Sequence, residues 1–173
     1  MDYPDDLGES IPFDKFYAAM ANGADTRTSQ VNISEFVDYF TPFLEQGKDI
    51  LHVCLSSGLS GVSNSAENAA RIVRERYPER KIYIVDSLGA SSGYGLLVDS
   101  AADLRDQGKS LEEVEQWVLA HRNRVHHQFF SSDMTQFRRT GRVSGAAATV
   151  ATVLNICPIM RLDDTGSIKA YSK

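Results

Sequence analysis

Residues 49–61 read DILHVCLSSGLSG, and residues 81–95 read KIYIVDSLGASSGYG. Each stretch opens with a short apolar run, which is typical of a buried β-strand, and continues into small polar residues. Helical periodicity follows each stretch, over 60–76 and up to about residue 106. The order strand, helix, strand, helix predicts an α/β fold in which helices flank a parallel sheet.

The elements around this unit differ in character before and after it. Helices are predicted over 33–46 and over about 111–124, because both segments carry apolar residues at helical spacing. The remaining elements are shorter: a strand over 126–132, a short helix over 132–142, a small-residue helix over 144–154, and a hairpin around the DDTG turn at 163–166. We therefore predict an α/β domain over 1–142 and the beginning of a smaller α+β domain over 143–173.

The composition excludes several classes of protein. The net charge of −5 argues against sequence-independent binding of nucleic acid, which needs a concentrated basic face. No apolar run approaches the roughly 18 residues that span a bilayer, so we expect no stable membrane insertion. The acidic N-terminus does not resemble a secretory signal. We predict a cytoplasmic protein in which Cys54 and Cys157 are buried, reduced thiols.

Two serine-rich turns mark the candidate ligand site. The first serine turn is SSGLSG at 56–61, the second serine turn is DSLGASSG at 86–93, and each follows a predicted parallel strand. Ligands of open parallel sheets bind at the carboxyl ends of the strands. Hydroxyls such as Ser57 and Ser60, a glycine such as Gly61 and the N-terminus of a helix together favour an anion. The alternative is that these serines only cap the helices.

Other polar residues allow more than one interpretation. Thr28 and Ser29 lie in a loop that could close over the same site. Arg142 could bring a positive charge to it, or could form an ion pair on the surface. Asp86, at a strand end, could bind a metal or act as a base, but we favour a role in capping the turn that follows.

Several common catalytic motifs are missing from the sequence. It lacks the P-loop, GxGxxG and HExxH patterns, and the first serine turn does not fit the GxSxG pattern of a nucleophile elbow. We expect neither a cofactor nor a metal ion. Two alternatives to a lipid ligand stay open. One is a binding module for a small anionic metabolite. The other is a serine hydrolase that uses Ser57 or Ser60 as its nucleophile and His52 or His127 as its base.

A series of short motifs occurs in a characteristic order along the chain. They are TSQ at 28–30, SSGLSG at 56–61, IVDS at 84–87, SSGYG at 91–95, GRVSG at 141–145, and LNICPIM before DDTGSIKAYSK. In order and spacing the sequence resembles the DegV family of bacterial fatty-acid-binding proteins. Some members of that family present a fatty acid to a partner kinase, which phosphorylates its carboxylate.

The resemblance implies a function and a set of binding residues. Thr28, with Ser29 beside it, and Ser60 would bind the carboxylate of a long-chain fatty acid such as palmitate or oleate. Arg142 would lie near the head group or on the surface that faces the kinase. The acyl chain would occupy an apolar tunnel between two domains. The protein would bind lipid without being an enzyme itself, as the binding subunit of a fatty acid kinase.

The sequence departs from the family pattern in three respects. Val62 and Ser63 stand where the family usually has Thr-Tyr, which removes one hydroxyl near the head group. Cys157 stands where a lysine usually precedes the proline. Family members also have strands before the segment that matches residues 2–20 and continue well beyond residue 173. We therefore expect a chain truncated at both ends.

Overall fold

The computed structural model describes residue 3, residues 6–143 and residues 157–172. The elements of these residues are, in chain order, α1 (Phe13–Ala21), α2 (Ile33–Glu45), β1 (Ile50–Cys54), α3 (Val62–Arg76), β2 (Ile82–Asp86), α4 (Ser91–Asp106), α5 (Leu111–His121), a 3-10 turn (Arg122–Arg124), β3 (Gln128–Phe130), α6 (Thr135–Thr140), β4 (Ile159–Leu162) and β5 (Ile168–Ser172). Within this part of the chain, no helix combines the length and apolar character needed to cross a bilayer. The α/β fold class predicted from the sequence is confirmed.

Strands β1 and β2 form a parallel pair with an apolar core on each face. Their register runs from Ile50 opposite Ile82 to Cys54 opposite Asp86. Successive side chains of a strand point to opposite faces, so each face packs against its own helices. The core on the side of α2 and α3 contains Phe36, Phe40, Leu44, Cys54, Ala66, Ala69, Ala70, Val73 and Ile82. The core on the side of α4 and α5 contains Val53, Val85, Leu97, Ala101, Val114 and Val118.

Two helices begin at reciprocal side-chain caps. At the start of α2, the Glu35 amide donates to Asn32 Oδ1 at 3.0 Å, and the Asn32 amide donates back to the Glu35 carboxylate at 2.7 Å. Ser110 and Glu113 make the same exchange at the start of α5. Each cap satisfies amides that would otherwise lack an intrahelical partner. Both helices begin at the residue predicted from the sequence, whereas α5 ends earlier and continues only as the 3-10 turn.

The second sheet is antiparallel, with strand order β3-β4-β5. It packs over a small core of Met134, Val143 and Met160. The hairpin predicted around the DDTG turn is present as β4 and β5. Strand β3 precedes residue 142 and pairs with β4, which follows it. The domain boundary between residues 142 and 143 stays a prediction, and the helix predicted over 144–154 lies outside the described residues.

The two cysteines have different environments. Cys54 is buried at the end of β1, and burial raises the pKa of its thiol to about 11. Cys157 is exposed, so the prediction that both thiols are buried is wrong for this residue. The apolar run around Cys157 suggested a strand interior, but β4 begins only at Ile159.

Candidate functional site

The first serine turn is anchored from inside the protein by Ser56, whose side chain is fully buried. The Ser56 amide donates to the carbonyl of Gly89 at 2.9 Å. Its carbonyl accepts from the amides of Leu59 at 3.0 Å and Ser60 at 3.2 Å, and its hydroxyl accepts from the Gly58 amide at 3.1 Å. Ser56 therefore shapes the turn and does not face a ligand. The sequence alone does not distinguish it from the other serines of the turn.

The tip of the β4–β5 hairpin closes the inner side of this turn. Ser56 Oγ donates to the carbonyl of Gly166 at 2.8 Å. A Cβ on Gly58 would lie 2.6 Å from the Gly166 carbonyl oxygen, and a Cβ on Gly166 would lie 1.9 Å from Ser56 Oγ. Gly166 also has a φ of +71°, which glycine adopts without strain. Backbone thus packs directly on backbone at this contact, and only glycine fits on both sides.

The outer side of the first serine turn carries the hydroxyls predicted to bind a ligand. Ser57 is exposed and Ser60 is half-buried. Ser60 Oγ accepts from the Val62 amide at 3.3 Å, which leaves the hydroxyl proton free to be donated. Gly61 is the exposed N-cap residue of α3, whose 15 residues begin at Val62. The start of a helix favours a negative charge, so this side of the turn is suited to an anion.

Asp86 holds the two serine turns together. Its Oδ1 accepts from the Ser57 amide at 3.1 Å and from the Leu88 amide at 2.9 Å. A carboxylate oxygen that accepts two backbone amides is engaged in shaping turns. The geometry therefore favours the capping role of Asp86 over the roles of metal ligand or base.

The loop that contains Thr28 and Ser29 reaches the same helix start through its next residue. Both side chains are exposed. Gln30 Nε2 donates to Ser65 Oγ at 3.1 Å, and its Oε1 would lie 2.8 Å from a Cβ built on Gly61. The segment is thus brought to the first serine turn, as expected. That Thr28 and Ser60 bind one carboxylate together stays a prediction.

Arg142 lies at the rim of the first serine turn. Its Nε donates to the carbonyl of Leu59 at 3.2 Å, and its Nη1 donates to the carbonyl of Thr140 at 2.9 Å. The side chain is exposed. Of the two interpretations of this residue, these contacts favour the one in which it brings a positive charge to the turn.

The second serine turn is filled by a histidine of the same chain. The Ala90 amide donates to His127 Nε2 at 3.2 Å, and His127 Nδ1 lies 3.0 Å from the carbonyl of Val125. A Cβ added at Gly89 would lie 2.9 Å from the imidazole ring, and a Cβ added at Gly93 would lie 2.4 Å from it. A neutral ring protonated at Nδ1 satisfies both contacts. The glycines of this turn therefore accommodate His127 rather than a ligand.

The two histidines considered for a hydrolase are engaged elsewhere. The His52 ring packs edge-on against Phe36 and Phe40, with centroids 5.3 Å and 5.4 Å away. Burial there lowers the pKa of His52. Both ring nitrogens of His127 face backbone groups. These contacts provide neither Ser57 nor Ser60 with a base.

An apolar groove of about 490 Å³ lies beside β1, between α2 and α4. Its walls include Tyr39, Phe43, Leu51 and Val98. All of its lining residues belong to the predicted first domain. The acyl tunnel implied by the family resemblance runs between two domains, so that tunnel stays a prediction.

The sequence matches known proteins along its whole length. A family model described as "Uncharacterised protein, DegV family" matches residues 1–173. A DegV domain-containing protein of Clostridium perfringens is 36% identical over 172 residues, which are 99% of this chain and 59% of that protein. The chain thus spans less than two thirds of the length of this curated relative.

Solved structures share the fold. The fatty acid kinase (Fak) B3 protein of Streptococcus pneumoniae, loaded with linoleic acid, is 30% identical with a TM-score of 0.83, over 95% of this chain and 58% of that chain. A DegV family protein of Ruminococcus gnavus, refined with vaccenic acid, is 26% identical with a TM-score of 0.85, over 99% and 60% of the two chains. A fatty-acid-binding DegV family protein of Thermus thermophilus is 33% identical with a TM-score of 0.79, over 95% and 57%.

Proposed function

The chain belongs to the DegV family, and from this membership we propose that it binds a long-chain fatty acid with the carboxylate at the first serine turn. Thr28 and Ser60 donate their hydroxyl protons to the carboxylate, and Arg142 supplies a nearby positive charge. The observation that carries the proposal is the outer side of this turn. There the Ser60 hydroxyl, which accepts the Val62 amide, lies at the start of α3.

Each feature of the turn favours a carboxylate over a neutral head group. Hydrogen bonds to a charged acceptor contribute about 1.5–3 kcal/mol, roughly twice the contribution of neutral ones. The start of a helix carries about half a positive charge. Two hydroxyls and a helix start therefore select a fatty acid against an alcohol of the same length.

The acyl chain supplies most of the affinity in this proposal. Burial of one methylene is worth roughly 0.8 kcal/mol, so about 14 methylenes contribute roughly 11 kcal/mol before costs. Association costs about 4–15 kcal/mol. Tight binding of palmitate or oleate therefore needs nearly complete enclosure of the acyl chain, and the head-group contacts mainly fix its orientation.

We further propose that the protein has no catalytic activity of its own and delivers its fatty acid to a kinase in the cytoplasm. The support is the likeness to the Fak B3 protein of Streptococcus pneumoniae. A carboxylate held at an exposed turn, rather than in the interior, is accessible to a second protein.

The test is to measure oleate affinity for Thr28→Val and Ser60→Ala. Loss of one hydrogen bond to a carboxylate should weaken binding about tenfold or more. Ser100→Ala is the control, because this serine bonds only the Leu96 carbonyl within its own helix. Unchanged affinity in both variants would refute the assignment of the carboxylate to this turn.

A comparison of ligands tests the alternative of a small anionic metabolite. Oleate should raise the melting temperature of the protein, whereas glycerol phosphate should not. If glycerol phosphate stabilises the protein and oleate does not, the ligand is a small phosphorylated metabolite and not a fatty acid.

A further inference from the structure

Gln30 makes a specific contact with the start of α3. Its Nε2 donates to the hydroxyl of Ser65 at 3.1 Å. Ser65 is almost fully buried in the first turns of α3. Gln30 therefore joins a loop without regular structure to the helix that begins at the first serine turn.

The absence of a side chain at Gly61 makes room for this contact. A Cβ there would lie 2.8 Å from Gln30 Oε1, closer than the two atoms can approach. The φ of Gly61 is −76°, so the backbone itself does not require glycine. The space that glycine leaves is occupied by the amide of Gln30.

We infer that Gln30 is a positioning residue, which fixes the segment of Thr28 and Ser29 against the start of α3 and so sets the geometry of the carboxylate site. This inference rests on the proposed fatty-acid function for its ligand, but the ordering of the loop does not depend on a ligand. Thr28 lies two residues before Gln30, so a displaced amide moves its hydroxyl with the loop. The Thr28 hydroxyl can come within hydrogen-bonding distance of a carboxylate at Ser60 only when Gln30 holds the loop in place.

The amide of glutamine meets the requirements of this position. It donates to a buried hydroxyl, which would otherwise lack this partner. Asparagine would be one methylene shorter, and methionine has a similar shape but donates no hydrogen bond. Gln30→Met therefore separates the hydrogen bond from the packing.

The first experiment measures the order of the loop without ligand. Backbone order parameters at Thr28 and Ser29 should fall from about 0.85 to below about 0.6 in Gln30→Ala. Gly61→Ala should have a smaller effect of the same sign, because its Cβ forces the end of the Gln30 side chain to shift. In the Gln30→Ala background, Gly61→Ala should have no further effect on the loop. Gln46→Ala, at the exposed C-terminal end of α2, is the control.

The second experiment measures head-group selectivity. Gln30→Ala and Gln30→Met should lose about tenfold in affinity for oleate but little for oleyl alcohol, because only the carboxylate depends on the positioned hydroxyls. Equal losses for both ligands would show a purely structural role and overturn the inference.

The two experiments separate this inference from the proposed function. Unchanged loop order in Gln30→Ala overturns the inference, whatever the protein binds. If the unaltered protein binds no fatty acid but the loop still loses order in the variants, the positioning role stands and the proposed function fails.

Discussion

The two serine turns look alike in sequence and differ in what occupies them. Both follow parallel strands, and both combine serines with glycines before a helix. In the second turn, His127 fills the space beside the glycines and accepts the Ala90 amide at the start of α4. In the first turn, the glycines face the hairpin tip on the inside and Gln30 at the helix start. The outer hydroxyls of the first turn therefore remain available.

This difference shows how composition alone can suggest more sites than the fold provides. A glycine indicates that something approaches the backbone closely, but not whether that is a ligand or the protein itself. At Gly89, Gly93, Gly58 and Gly166, the approaching group belongs to the chain. The distinction comes from contacts between residues distant in sequence.

The largest effect is expected from Gly166→Ala, which breaks the inner contact of the first turn. The new Cβ would lie 1.9 Å from Ser56 Oγ, and φ is +71°. The strain of a left-handed conformation costs about 1–2 kcal/mol, and overpacking adds about 1–3 kcal/mol. The free energy of unfolding, measured by urea denaturation, should therefore fall by roughly 2–5 kcal/mol.

Gly108→Ala is the matched control for this substitution. Gly108 has a φ of +84°, and a Cβ there would meet nothing within 4 Å. Its cost should be the conformational strain alone, about 1–2 kcal/mol. Equal losses in the two variants would show that the hairpin tip does not pack on the turn.

A smaller effect, with a change of sign, is expected in the second turn. Gly93 and Gly95 both lie in α4. A Cβ added at Gly93 would lie 2.4 Å from the His127 ring, whereas a Cβ added at Gly95 would have no atom within 4 Å. Gly95→Ala should stabilise the protein by about 1 kcal/mol through helix propensity. Gly93→Ala should destabilise it by up to about 2 kcal/mol, because overpacking outweighs that gain. Urea denaturation measures both changes.

The His127→Ala background decides the cause of that difference. Without the imidazole, Gly93→Ala should become as stabilising as Gly95→Ala. If Gly93→Ala stabilises the protein even with His127 present, the ring does not fill the second turn.

The smallest effect is a pH dependence that comes from the core histidine rather than from the turn. Burial lowers the pKa of His52 from its ordinary value of 6.5. The unfolded chain therefore binds a proton near pH 6.5, whereas the folded chain binds it only at lower pH. The contribution of His52 to stability is complete above pH 6.5 and is lost as the pH falls from there through the lowered pKa.

His52→Leu should remove this contribution. Urea denaturation between pH 7.5 and about pH 5 should show a shallower fall in the variant than in the unaltered protein. An identical pH dependence in the two proteins would show that His52 does not cause the fall in stability.

Much of the fold could be predicted because its signals are local. The apolar runs of β1 and β2, the helical spacing of apolar residues in α2 and α5, and the DDTG turn each act over a few residues. Their type and order follow from neighbouring residues. The burial of Cys157 was predicted wrongly because an apolar run does not indicate the residue at which strand pairing begins.

The site was less predictable because its contacts are distant in sequence. His127 lies 37 residues from Ala90, and Gln30 lies 35 residues from Ser65. The motifs predicted a ligand site at Ser57, Ser60, Gly61 and the 28–30 loop, but gave no reason to separate Ser56 from its neighbours. Which serine is buried depends on the hairpin that packs against it.

The hydrogen bond between Ser56 and Gly166 joins residues that are 110 positions apart. During synthesis the N-terminal residues leave the ribosome first, so β1 and α3 can fold while the hairpin is still being made. The inner side of the first serine turn cannot be completed until Gly166 has emerged. A ribosome-bound chain that ends before this residue therefore carries the serines of the first serine turn without the contact that closes its inner side.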